Sequence, residues 1–76
     1  MNADLTDLQR VMQEARDNGW TVTERGRDRT MTKGGRRITA GFGRSGGLRS
    51  AYMDGRALPR RLRLALVLAV LKGRVA

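Results

Sequence analysis

Fourteen arginines and two lysines stand against seven carboxylates in this 76-residue chain, a net charge of +9. A guanidinium is permanently charged and planar, and its paired N–H donors match phosphate oxygens and guanine edges. Such an excess calls for a polyanionic partner. A GC-rich coding sequence favours Arg over Lys, but Asp and Glu codons are GC-rich too, so it does not explain base over acid. The charge is also uneven. Residues 1–18 carry Asp4, Asp7, Glu14 and Asp17 against Arg10 and Arg16, whereas residues 19–76 carry 14 bases against Glu24, Asp28 and Asp54.

Three groups of cations have spacings that suit phosphate chemistry. Arg25, Arg27, Arg29, Lys33, Arg36 and Arg37 fall on two successive strands and their turn. A basic β-ribbon of this kind fits a major groove. The alternative is a charged surface that guards a sheet edge. Arg44 lies in Gly41-Phe42-Gly43-Arg44-Ser45-Gly46, a G-x-G-x-x-G string. A dinucleotide site needs that string between a strand and a helix of a βαβ unit. Strand-like sequence follows here, so it reads as a glycine-rich hairpin loop whose backbone and Arg44 can still meet phosphate. Arg60, Arg61 and Arg63 open the last helix, where the dipole disfavours cations; either an anion binds there, or they are solvated residues that form helix well.

Catalysis has little to draw on. The chain has no His and no Cys, which removes the commonest general base and the thiol nucleophile. Its carboxylates are scattered, so neither a metal site nor a cofactor is expected. Trp20, Phe42 and Tyr52 read as core residues, which favours groove or phosphate binding over stacking on single strands. The polar start Met1-Asn2-Ala3-Asp4 does not read as a signal peptide. The apolar run Leu64 to Leu71 is far short of the about 20 residues that span a bilayer. A cytoplasmic protein with no membrane or small-molecule partner is the expectation.

These side chains need a scaffold, and 76 residues suffice for one domain with a core worth only about 3–5 kcal/mol. Leu5, Leu8, Met12 and Ala15 recur at helical spacing over residues 4–18, with Asp4 as N-cap and Gly19-Trp20 as a Schellman ending. Strands follow over 20–26, 28–33 and 36–42, with turns near Gly26 and at Gly34-Gly35. Ile38, Ala40 and Phe42 should face inward. A fourth strand over 48–53 is possible in two registers, with Leu48 and Tyr52 or Ala51 and Met53 inside. After Asp54-Gly55 a final helix should begin near Leu58, with Pro59 in its first turn. The fold class is α+β, a three- to four-stranded antiparallel sheet carrying an N-terminal and a C-terminal helix.

The last helix is apolar all round. Leu62, Ala65, Leu66 and Ala69 point one way, and Leu64, Val67, Leu68 and Leu71 point the other. A short monomer can hardly cover both sides. Leu64, Val67, Leu68 and Leu71 are therefore the expected interface with a second copy or another protein.

The order of a helix, Gly19-Trp20-Thr21-Val22, three strands and a terminal helix resembles the HicA-type toxins over roughly residues 5–73. Those are small α-β-β-β-α proteins with a double-stranded-RNA-binding-like fold that cleave RNA with a strand histidine in a Gly-Ser-His context. Where the histidine would fall, this chain reads Glu24-Arg25-Gly26-Arg27-Asp28-Arg29. The resemblance implies the scaffold and RNA binding, not cleavage. The composition also fits a small phage or mobile-element product. The expectation is a non-catalytic binder of duplex DNA or structured RNA, acting as a dimer. The alternative is a protein that modulates an acidic host or partner protein, with its arginines steering the encounter.

Overall fold

A computed structural model describes residues 5–73. Helix α1 spans Asp7–Asp17. Asp4, the expected cap, lies outside the described residues, and Thr6 takes that role. Its hydroxyl accepts from the Gln9 N–H at 3.1 Å, and the Gln9 side chain accepts from the Thr6 N–H at 2.8 Å. This reciprocal pair satisfies two helix-terminal donors. The helix ends as its sequence foretells. Gly19 adopts φ +78, its N–H reaches the Arg16 carbonyl, and the Trp20 N–H reaches that of Ala15 at 2.9 Å. These are the two bonds of a Schellman ending.

The middle of the chain is an antiparallel meander. Strands β1 (Thr21–Arg25), β2 (Asp28–Lys33), β3 (Arg36–Phe42), β4 (Leu48–Met53) and β5 (Arg56–Ala57) lie in sequential order. The architecture is α+β, with the possible fourth strand present and a short fifth that was not expected. Gly34 and Gly35 both take positive φ, as a two-residue type I′ hairpin requires. Asp54 and Gly55 do the same at +51 and +89, and this tight reversal lays β5 against β4.

The two registers offered for β4 are resolved by a bulge. Phe42 pairs with Leu48 while Gly41 pairs with Ser50, so Arg49 is the extra residue. Leu48 packs on the core and Ala51 is buried, three positions apart, while Tyr52 faces away.

Helix α2 spans Arg63–Leu71, later than its expected start. The Leu58 N–H continues the sheet ladder to the Ala51 carbonyl at 2.9 Å, and the Leu62 N–H closes a turn on Pro59. Residues 58–62 are thus sheet extension and turn. The helix face is also the reverse of the expectation. Val67 and Leu71 are fully buried with Val70, and Leu64 and Leu68 pack against the same core. Leu62 is 55% exposed and Ala65 is exposed. The physical reason is volume, since the side with two alanines has less apolar area to remove from water. Leu64, Val67, Leu68 and Leu71 are therefore the inward face, not an interface left free for a partner.

Both helices pack together on one side of the sheet. Val11, Met31, Ile38, Val67 and Leu71 form the driest part of the core. The other side of the sheet carries no helix. Among the described residues no helix is long and apolar enough to cross a membrane.

Candidate nucleic-acid interface

An antiparallel meander brings alternate connections to the same end of the sheet. The β1–β2 turn at Gly26-Arg27, the 43–47 loop and the 58–62 turn share one end, here called the arginine end. Hydrogen bonds tie them together. The Phe42 N–H donates to the Arg27 carbonyl at 3.3 Å, and the Arg63 guanidinium donates to the Arg49 carbonyl.

Arg25, Arg27, Arg44, Arg49, Arg60 and Arg61 project from this end. All six are exposed, and none makes a side-chain hydrogen bond or ion pair among the described residues. Their acidic neighbours are few. Asp7 uses its carboxylate to accept from the Leu48 N–H at 2.8 Å, and Glu24 stands 3.9 Å from Arg29. Asp28 is the remaining carboxylate here.

The glycine-rich loop has a structural task. Its Gly46 carbonyl accepts from the Leu8 N–H at 2.9 Å, so the start of α1 is capped by the loop. A Cβ on Gly46 would meet Thr6 at 2.8 Å, so only glycine allows this approach. The G-x-G-x-x-G string therefore positions Arg44 beside α1, and no helix follows it.

The expected basic hairpin is divided. Six-residue β2 separates its two ends by roughly 17–20 Å. Arg25 and Arg27 lie at the arginine end. Arg29 lies there too, but its side chain is only 14% exposed and donates to the Gly26 and Asp28 carbonyls. At the far end Lys33 donates to the Asn18 carbonyl at 2.6 Å, and Arg36 pairs with Asp54 at 3.4 Å. Arg37 is exposed at that end on the helix-free side. Arg60 and Arg61 precede α2 rather than forming its first turn, and Arg63 is its first residue.

Two residues were missed from sequence. Arg49 joins the arginine end because the bulge releases it from strict alternation. Tyr52, read as core, is 45% exposed. Among the described residues no three His, Cys, Asp or Glu side chains gather closely enough to hold a metal. No family model, no curated protein and no solved structure matches the chain.

Proposed function

We propose that the protein is a non-catalytic nucleic-acid-binding protein that grips backbone phosphates with its arginine end. The observation that carries this reading is the contrast between the two ends of one sheet. At the far end Lys33 and Arg36 are occupied by a carbonyl and a carboxylate, and only Arg37 and Arg56 are exposed there with no side-chain partner among the described residues. At the arginine end six exposed guanidiniums from three separate segments have no side-chain partner among the described residues. Like charges held together oppose folding, so a surface selected for stability alone would intersperse acids. The sheet is four strand spacings wide, about 19 Å. Six exposed guanidiniums allow up to about six phosphate contacts across that width.

Duplex DNA and structured RNA both present backbone phosphates in this way, so both are compared as targets. The test is titration of labelled RNA and DNA duplexes at low salt with the intact protein and with an Arg27→Gln, Arg44→Gln, Arg60→Gln variant. Tight binding that the triple variant loses supports the reading. Absence of duplex binding at low salt, or retention by the folded variant, overturns it and favours an acidic protein as partner.

A further inference from the structure

The helix-free side of the sheet presents an ordered row. Register places Thr23, Thr30, Thr39, Tyr52 and Ala57 side by side across all five strands. Thr21, Thr32 and Arg37 form the next row toward the far end. Tyr52 is the chain's one tyrosine, and it borders an open groove of about 650 Å³ with Gly35, Arg37, Thr39, Asp54 and Gly55.

The charges in this groove are specific. The Asp54 carboxylate is engaged on both oxygens, by the Arg37 N–H at 2.9 Å and by the Arg36 guanidinium at 3.4 Å. Among the described residues the Arg37 guanidinium has no hydrogen bond or ion pair. Tyr52 therefore lines the groove beside one cation, Arg37, and a carboxylate, Asp54, already engaged by two donors. A planar group carrying anionic charge is the complementary occupant, and an unpaired nucleotide has that form. Stacking on an aromatic ring needs no particular base, because every base has a π-face.

We infer that this side of the sheet binds unpaired nucleotides of the same RNA whose phosphates meet the arginine end, with one base stacked on Tyr52 and its phosphate beside Arg37. This rests on the proposed nucleic-acid function and sharpens its target to a duplex flanked by a single-stranded segment. The threonine hydroxyls along the row suit the ribose 2′-OH, which both donates and accepts.

The test uses the full chain carrying 3-fluorotyrosine at Tyr52, with three ligands: a blunt RNA duplex, the same duplex with a single-stranded extension, and inorganic polyphosphate. The extension should shift the fluorine resonance and tighten binding on the order of tenfold. Tyr52→Leu should abolish that gain, and Tyr52→Phe should keep it. Polyphosphate should bind without moving the resonance. If both duplexes bind equally and the resonance is unmoved, the inference falls while the arginine-end reading stands. If no ligand binds, both fall.

Discussion

The indole N–H of Trp20 donates to the carbonyl oxygen of Leu71 over 3.0 Å, across 51 positions of sequence. Trp20 leaves α1 and Leu71 ends α2, so one buried hydrogen bond joins the end of one helix to the end of the other. Helix-terminal carbonyls lack intrahelical partners and need such a donor when buried. Trp20→Phe keeps a ring but strands that carbonyl, at a cost of about 1–3 kcal/mol. Urea denaturation followed by circular dichroism should show a lower midpoint. An unchanged midpoint would mean that the bond contributes nothing.

Glycine substitutions separate backbone conformation from contact. Gly26 and Gly46 both have positive φ, +61 and +91. A Cβ at Gly26 meets nothing within 4 Å, but at Gly46 it meets Thr6. Gly26→Ala should cost about 1–2 kcal/mol from conformation alone. Gly46→Ala should add about 1–3 kcal/mol for the clash and loosen the start of α1. Thermal unfolding of the two variants, with amide exchange at Leu8, checks the difference.

The direction of α2 has a plain consequence. Leu71→Ala should cost about 2–5 kcal/mol, comparable to the whole stability expected of so short a chain. Leu62→Ala, on the outward side, should stay within about 0.5 kcal/mol. Folding of Leu71→Ala at wild-type stability would return the outward face to the role of core.

How far the sequence disclosed the fold follows from the kind of signal each element carries. Gly34-Gly35 and the Gly19-Trp20 ending are local, because only certain residues adopt the backbone those turns need, and both are present as read. The capping box was equally local in Thr6 and Gln9, yet Asp4 drew the assignment two residues earlier. The bulge at Arg49 was visible only as an unresolved register, since it depends on pairing with β3. The face of α2 was not legible, because Leu and Val surround that helix and only packing against the sheet decides between sides. For the site, charge identified the arginines but not their partners. Lys33 and Arg36 look the same as Arg25 and Arg27 in sequence, and differ only once Asn18 and Asp54 are brought to them.

That division predicts a difference between single variants. Arg44→Gln removes a charge without a partner, so it should leave stability within about 0.5 kcal/mol and reduce the salt slope of binding by about 0.9. Lys33→Gln should leave the slope unchanged and lower stability by a few tenths of a kcal/mol, roughly the worth of an exposed polar contact. Parallel denaturation and anisotropy titrations read both quantities. Equal slopes for the two variants would mean that the ends of the sheet are not distinct.

The central claim is tested most directly by the salt dependence of duplex binding by the intact protein. Six phosphate contacts give a slope of log affinity against log salt near −5, a loss of roughly 10³-fold between about 50 and 200 mM. An affinity that changes little over that range, or no binding at its lower end, would contradict the account.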